Sequence, residues 1–195
     1  PPFRAKQLAQ WIHQKGVESI GQICNFSQNL KNKLGEYSKI TVLKLVKKQV
    51  SRDGTEKFLF GLEDGNFLEC VLMRYRGTKS KQRNTLCVSS QVGCGMGCGF
   101  CATGLSGFQR NLTAGEILSQ VYTVNNYLKD DNEIIGNVVY MGMGEPMANF
   151  ANVLKSIRLL NAPYGQNIGI RRITLSTCGI VPKIIELADM DLGLV

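Results

Sequence analysis

The second half of the sequence alternates between short apolar runs and helical patterns, and this alternation restricts the possible folds more than any other feature. TLCVS (85–89), NVVYM (137–141) and RRITLS (171–176) have the pattern of buried strands, and each is followed by a loop and a helical pattern. Thr113 and Glu116 form a capping-box pattern at the start of the first of these helices. The alternation predicts a parallel sheet with right-handed crossovers. DLGLV (191–195) is expected to begin a fourth strand.

Two other patterns come before this half. Residues 1–40 show helical periodicity with Ser27 as a helix cap, which predicts a small helical accessory domain with His13 at its surface. Residues 41–84 alternate around the turn signals SRDG and EDGN, which predicts a short antiparallel β extension that ends in a basic loop. Residues 85–195 carry the strand–helix alternation. The Pro-Pro start and the strand-like end suggest a piece of a longer chain.

Charge and cysteine content indicate the kind of partner and chemistry. The chain has 23 Lys and Arg residues against 15 Asp and Glu, a net charge of +8, which suits a polyanion such as nucleic acid as well as it suits a merely soluble basic protein. The basic loop is either a solvated loop or a phosphate-contacting one, and its five basic residues are Arg74, Arg76, Lys79, Lys81 and Arg83. With no apolar run long enough to span a membrane, we expect a cytoplasmic protein without membrane contact. Seven cysteines in that compartment indicate metal or redox chemistry.

Three of these cysteines lie in CGMGCGFC (94–101), directly after the first strand of the alternating half. Cys94, Cys98 and Cys101 place three soft ligands on one loop, where glycines let the chain wrap closely around a bulky group. A [4Fe–4S] cluster held by three cysteines would keep one iron open to a substrate or cofactor. A zinc ion would need a fourth ligand, which one of Cys70, Cys87 and Cys178 could supply. Ligands of parallel α/β folds bind at the carboxyl ends of the strands, where this loop, Gly144-Glu145 and Ser176 all fall.

The motif CxxxCxxC after the first strand of such a fold resembles the radical S-adenosylmethionine (SAM) superfamily. TLCVSSQVGCGMGCGFCATGLSGFQRNLTAGEI, VVYMGMGEPMANF and RRITLSTCGIVP, in this order, resemble the RlmN/Cfr family of RNA adenine methyltransferases. The resemblance implies an α/β fold, an incomplete radical SAM (βα) barrel behind the helical domain and the β extension. It further implies methylation of an adenosine in 23S rRNA and in tRNA, a [4Fe–4S] cluster and SAM as cofactors, and an external electron donor of the flavodoxin or ferredoxin type. Separately, no heptad pattern in the sequence indicates a coiled-coil dimer, so we expect a monomer.

The resemblance also assigns cofactor-binding roles. Cys94, Cys98 and Cys101 match the cluster ligands. Gly144 and Glu145 match the pair that meets the amino group of SAM, and Ser176 matches a further SAM contact. From the residues alone, Glu145 is equally well a loop charge, Gly144 a turn glycine and Ser176 a hydroxyl that caps the following loop.

Two residues match the family's RNA chemistry. Cys87 corresponds to the thiol that resolves a covalent RNA–enzyme intermediate, although a buried strand cysteine is its simplest reading. Glu69 corresponds to the general base at adenine C2, although it also reads as an exposed strand carboxylate. Relatives that methylate adenine C8 tend to carry an amide at this position, so Glu69 favours C2.

The family mechanism uses one SAM to methylate a cysteine in the C-terminal part of the barrel and a second SAM to generate a radical on that methyl group. The methyl-carrying cysteine is expected beyond residue 195, since Cys178 follows the third strand and is in the wrong place. We therefore expect this chain alone not to methylate RNA. The alternatives are the C8-methylating relative or another radical SAM enzyme and, from a different class, a zinc-stabilised RNA-binding module.

Overall fold

The structure, a computed structural model, describes residues 2–76 and 83–194. Eight strands of these residues form a six-stranded sheet in the order β1-β2-β3-β4-β7-β8 and a separate β5-β6 hairpin. The strands are β1 (Lys44–Val50), β2 (Glu56–Gly61), β3 (Phe67–Tyr75), β4 (Arg83–Cys87), β5 (Gln91–Gly93), β6 (Phe108–Asn111), β7 (Asn137–Tyr140) and β8 (Ile173–Leu175). The helices are α1 (Pro2–His13), α2 (Gln28–Tyr37), α3 (Ala102–Leu105), α4 (Ala114–Leu128), α5 (Phe150–Asn161) and α6 (Val181–Ala188). Short 3₁₀ turns lie at Ile20–Gln22, Lys129–Asp131, Pro146–Asn149 and Ile170–Arg172.

The large sheet is mixed. β1 to β4 pair antiparallel, whereas β4, β7 and β8 pair parallel. The predicted α/β class with parallel strands behind a β extension is confirmed. Within the described residues the sheet stays open, with β1 and β8 as its edges.

Within the described residues, helices cover one face of the sheet, whereas the other face, called the open face below, carries partly buried side chains such as Glu69 and Cys87. Apolar residues alternate along the strands and recur at helical spacing along α4 and α5, so each element has an apolar face to bury. Leu86 and Val138 of the strands are fully buried, as are Ile117 of α4 and Ile157 of α5. The predicted capping box starts α4: Thr113 Oγ1 accepts the Glu116 N–H at 3.2 Å, and Glu116 Oε2 accepts the Thr113 N–H at 2.8 Å. The described helices include none that is long and apolar enough to cross a membrane.

One expectation about strands is wrong, and one pair of strands was not expected. Residues 191–194 are not a strand, because among the described residues no strand lies beside the outer edge of β8 to pair with them. The β5-β6 hairpin was not predicted, because its strands are too short to show a periodicity. This hairpin brackets the three-cysteine loop and therefore fixes both of its ends.

The end of α1 and the residues after it contact α4: His13 lies against Tyr122, and Asn126 donates to the carbonyl of Gly16. The predicted cap of α2 is present, with Ser27 Oγ accepting the Leu30 N–H. The expectation of a surface His13 is wrong: its Nδ1 lies 2.7 Å from the hydroxyl of Tyr122, and its carbonyl accepts a hydrogen bond from Gln166. Burial lowers the pKa of His13, so the neutral ring is favoured.

The arginines of the basic loop are largely engaged within the protein. Arg74 pairs with Glu56 at 2.6 Å and also with Asp131 and Glu133. Arg76 pairs with Glu133 at 2.6 Å. The guanidinium of Arg83 lies over the ring of Tyr75. Lys79 and Lys81 lie outside the described residues, so the phosphate-contact hypothesis for this loop stays a prediction that rests on them.

Candidate active site

One cavity opens at the carboxyl ends of the parallel strands. Its volume is about 320 Å³. Six residues singled out from the sequence line it together: Cys94, Cys98, Cys101, Gly144, Glu145 and Ser176. Cys178 lines it as well, so four thiols face the same space. Three strand ends deliver these groups to one edge of the sheet, as expected for a ligand site of a parallel α/β fold.

The three-cysteine loop is held at both ends by main-chain contacts. Gly93 has φ +71°, and a Cβ there would lie 1.8 Å from the carbonyl oxygen of Gly107. The Cys94 N–H donates to that same oxygen at 3.0 Å, while the Cys101 N–H donates to Cys98 O at 3.0 Å. Only glycine fits where the two ends of the loop approach this closely.

The donor chemistry of the loop suits a soft metal centre. All three loop cysteines are free thiols. Hydrogen bonds from the main chain of Gly104 and Thr103 lower the pKa of Cys101, which favours the thiolate, the form that binds metal. Among the described residues no three Cys, His, Asp or Glu side chains are clustered tightly enough to hold a single metal ion. Three thiols around an open cavity nevertheless fit an iron–sulfur cluster, whose ligands surround several iron atoms.

The GEP turn (Gly144–Pro146) packs directly on Gln91 of β5. Gly144 has φ +96°, and a Cβ there would lie 2.4 Å from Cβ of Gln91. Gln91 Oε1 accepts the Glu145 N–H at 2.8 Å, and Gln91 Nε2 donates to Asn111 at 2.7 Å. The buried amide of Gln91 thus connects the turn after β7 to the hairpin that carries the cysteine loop.

The carboxylate of Glu145 joins two strand-end loops. It is only 4% exposed. Its Oε1 accepts the Met147 N–H at 2.9 Å and the Thr177 hydroxyl at 2.7 Å, and its Oε2 accepts the Cys178 N–H at 2.8 Å. Burial raises the pKa of Glu145, but these hydrogen bonds outweigh burial and hold the pKa below its usual range. Glu145 is therefore an ionised tie between the GEP turn and the STCG loop (Ser176–Gly179), which the sequence did not reveal.

The thiol of Cys178 differs from those of the cysteine loop. Its hydrogen bond to Glu145, with a smaller contribution from burial, raises the pKa of Cys178 to about 11. This thiol is accordingly neutral at physiological pH. Its place in the cavity agrees with its position after the third predicted strand.

Glu69 and Cys87 lie on the open face of the sheet, outside the lining of this cavity. Cys87 of β4 is paired with Val71 of β3, and Glu69 lies two residues before Val71. Paired residues of antiparallel strands point to the same face, so Glu69 and Cys87 are diagonal neighbours, separated by about 7–8 Å. Burial raises the pKa of Cys87, which keeps it a neutral thiol.

Three buried polar residues that sequence reasoning missed hold this arrangement together. Ser89 contacts both Glu69 and Met143, Gln91 supports the GEP turn, and Asn149 donates to the carbonyls of Ser90 and Leu112. All three are at most 3% exposed. A signal was present, since Ser89, Ser90 and Gln91 form a polar run directly after an apolar strand, where buried polar groups need partners.

Three loop cysteines, a carboxylate and a hydroxyl line one cavity at the end of a parallel sheet. This arrangement is typical of a protein that binds a metal cluster together with an organic cofactor. Residues 88–193 match the model of the radical SAM superfamily, which is more than half of the chain. The chain therefore belongs to the radical SAM superfamily. Residues 1–40 match the ribosomal RNA large subunit methyltransferase N-terminal domain.

Individual relatives agree with both matches and confirm the resemblance to RlmN enzymes. The chain is 48% identical over 190 residues to a probable dual-specificity RNA methyltransferase RlmN of Desulfitobacterium hafniense, covering 96% of this chain and 53% of the relative. It is 51% identical over 191 residues to the protein of the same description from Thermotoga neapolitana, covering 97% and 53%. The crystal structure of a radical SAM methyltransferase from Sphaerobacter thermophilus superposes with a TM-score of 0.90 at 38% identity, covering 100% of this chain and 56% of that chain. The chain spans about half the length of the curated relatives it matches.

Proposed function

We propose that this chain forms the cofactor-binding part of a radical SAM methyltransferase that modifies C2 of an adenosine in 23S rRNA and in tRNA. The observation that carries the proposal is the convergence of Cys94, Cys98, Cys101 and the GEP turn on one cavity beside the sheet face that holds Glu69 and Cys87. The RNA specificity is carried by the similarity to RlmN relatives.

In this proposal Cys94, Cys98 and Cys101 hold a [4Fe–4S] cluster, while the GEP turn and Ser176 hold SAM. With both bound, the reduced cluster would supply the electron that cleaves SAM into methionine and a 5′-deoxyadenosyl radical. The ionised Glu145 keeps the GEP turn and the STCG loop at a fixed separation through its hydrogen bonds to Thr177 and Cys178. Because these donors occupy the carboxylate, SAM would share it with the protein rather than use it alone.

On the open face, Glu69 would remove the proton from adenine C2. Cys87 would resolve the covalent intermediate: its sulfur would bond to the sulfur of the methyl-carrying cysteine as the C–S bond to the adenine methylene breaks, and the thiol proton would end on the new methyl group. The Glu69 side chain is 42% exposed, so the adenine ring of an RNA can approach its carboxylate from solvent. An amidine carbon is a poor nucleophile, so a polar methyl transfer to C2 is unavailable and radical chemistry is required.

Anaerobic reconstitution with iron and sulfide, followed by EPR of the reduced protein with and without SAM, tests the proposal. We expect a [4Fe–4S]⁺ signal that changes when SAM is added. Cys94→Ser should abolish cluster loading. Cys24→Ser is the matched control, because Cys24 is an exposed thiol outside the cavity, and it should load normally.

A second candidate function is a zinc-stabilised module, because Cys178 gives the cavity lining four thiols, the ligand number of a structural zinc site, although the described thiols would have to move closer together to share one ion. Metal analysis of the same preparation distinguishes this zinc site from the iron–sulfur cluster of the methyltransferase. Stoichiometric zinc that is lost in Cys178→Ser would support a zinc-stabilised RNA-binding module and overturn the radical SAM assignment of this cavity. A brown, SAM-responsive protein that is unchanged by Cys178→Ser supports the methyltransferase.

For the whole protein we further infer the cytoplasm as its compartment, a monomeric state and reduction by a flavodoxin- or ferredoxin-type donor. Mapping the methyl group on RNA that has been treated with the complete enzyme checks the C2 assignment. A methyl group at C8 would overturn it.

A further inference from the structure

A second cavity lies on the open face of the β extension, away from the thiols. Its volume is about 210 Å³. Five residues of β1, β2 and β3 line it: Lys47, Gln49, Lys57, Leu59 and Glu69. It therefore adjoins the carboxylate that we propose as the catalytic base.

The register of the strands explains why these side chains meet. Lys47 is paired with Leu59, and Leu59 is paired with Glu69 in the next strand. Gln49 is paired with Lys57. Residues of intervening positions, Phe58, Phe60 and Cys70, point to the core on the opposite face and are at most 1% exposed. All five cavity residues consequently project to the face that also carries Cys87.

The cavity is rich in cationic donors. It holds two ammonium groups and one carboxylate, and Lys57 Nζ lies 3.0 Å from Glu69 Oε1. Lys57 and Glu69 are 43% and 42% exposed, so this ion pair contributes little to stability and can be exchanged for another partner. Lys47 forms no ion pair with any residue of the described ranges.

We propose that this cavity is a phosphate subsite, in which Lys47 and Lys57 together bind one backbone phosphate of the substrate RNA next to the nucleotide that faces Glu69. The proposal rests on the proposed function. Charge complementarity favours RNA as the occupant: the cavity has an excess of ammonium groups, and the chain has a net charge of +8. Gln49 adds an amide that can donate to a phosphate oxygen.

Because Lys57 also pairs with Glu69, phosphate binding at this subsite affects the proposed catalytic carboxylate. A phosphate that binds Lys57 competes with Glu69 for the same ammonium group. The Glu69 carboxylate is then released from its ion pair when RNA occupies the face. RNA binding and the release of the Glu69 carboxylate are therefore coupled through Lys57.

The test measures binding of a fluorescein-labelled RNA hairpin to the 195-residue chain by anisotropy over a range of salt concentrations. The variants are Lys47→Gln, Lys57→Gln and the double substitution. Lys155→Gln is the matched control, since it removes the same charge from an exposed position of α5, on the helix-covered side of the sheet.

We expect the double variant to bind several-fold more weakly and to lower the slope of log Kobs against log salt by about 1, the loss of one phosphate contact. Because both lysines serve one phosphate, the effects of the single substitutions should be clearly non-additive. Lys155→Gln should leave the slope unchanged. If the lysine variants bind like Lys155→Gln, the subsite is overturned; this is the result expected if another protein segment covers this face. A parent chain that does not bind the hairpin would overturn the subsite as well.

Glu69→Gln gives an independent readout of the competition. Removal of the competing carboxylate should tighten hairpin binding in the parent and have no such effect in the Lys57→Gln background. Equal tightening in both backgrounds contradicts the coupling. None of these lysines touches the cysteine loop, so the SAM-dependent EPR signal tests the proposed function separately from the subsite.

Discussion

The buried hydroxyl of Ser89 donates a hydrogen bond to the main-chain carbonyl of Glu69 at 2.5 Å. Ser89 Oγ in turn accepts the N–H of Met143 at 2.9 Å. Met143 also contacts Glu69 directly, since its sulfur accepts the Glu69 N–H at 3.4 Å. The strand that carries Glu69 is thus attached, through one side chain, to the residue that leads into the GEP turn.

Ser89→Ala should therefore loosen the link between the two parts of the proposed site. It leaves the Glu69 carbonyl and the Met143 N–H buried without this partner, which should cost about 1–3 kcal/mol. Urea unfolding followed by circular dichroism measures the loss. We also expect a weaker change of the EPR signal on addition of SAM, because the GEP turn loses a support.

Ser156→Ala is the control for Ser89→Ala. Ser156 is equally buried and bonds to Tyr140 and Val153 on the helix-covered side. It should lose similar stability while its response to SAM stays normal. If both variants behave alike in EPR, Ser89 has a structural role only.

Gly144→Ala should be more harmful than the same change at another glycine of positive φ. At Gly144 the left-handed backbone and the 2.4 Å approach to Gln91 act together. At Gly65, with φ +83°, a Cβ meets nothing within 4 Å, so only backbone strain of about 1–2 kcal/mol applies. Overpacking should add about 1–3 kcal/mol at Gly144. Equal urea midpoints for the two variants would contradict the packing argument.

Arg74 is expected to be a structural residue. Its side chain is 16% exposed and pairs with Glu56, which is 6% exposed. Arg74→Met leaves the buried Glu56 carboxylate with Lys48 and Tyr127 as its remaining partners among the described residues, which should cost about 3 kcal/mol. The more exposed Arg76→Gln should cost less than about 1 kcal/mol. Thermal unfolding compares the two, and equal losses would argue against a special role for the Glu56 pair.

His13 should make stability depend on pH. Its pKa is lowered by burial in the folded protein, whereas the unfolded chain takes up the proton near 6.5. The stability that depends on a neutral His13 is fully present above pH 6.5. It is lost as the pH falls from 6.5 through the lower pKa of the folded protein, because the unfolded state then binds more protons. Urea midpoints of the parent and of His13→Asn should diverge between pH 8 and pH 5, chosen as about one and a half units either side of the ordinary histidine pKa. Parallel curves would show that His13 does not couple folding to pH.

Much of the fold could be predicted from the sequence because its signals are local. The capping box of Thr113 and Glu116 and the cap at Ser27 involve residues three positions apart, so they form wherever a helix begins. The grouping of Cys94, Gly144 and Ser176 was also predictable, because the carboxyl ends of parallel strands meet at one edge. The surface expectation for His13 and the strand at 191–195 failed because each depends on what packs or pairs beside it.

The sequence by itself determined the alternation of strands and helices, the three thiols on one loop and the order of motifs that resembles radical SAM methyltransferases. Only the tertiary structure decided that Glu145 ties two loops, that Ser89 connects Glu69 to Met143 and that Lys57 pairs with Glu69. Local patterns follow from backbone geometry and side-chain periodicity, which act over a few residues. Partners of buried polar and charged groups come from distant parts of the chain, and no short-range pattern specifies which of them will meet.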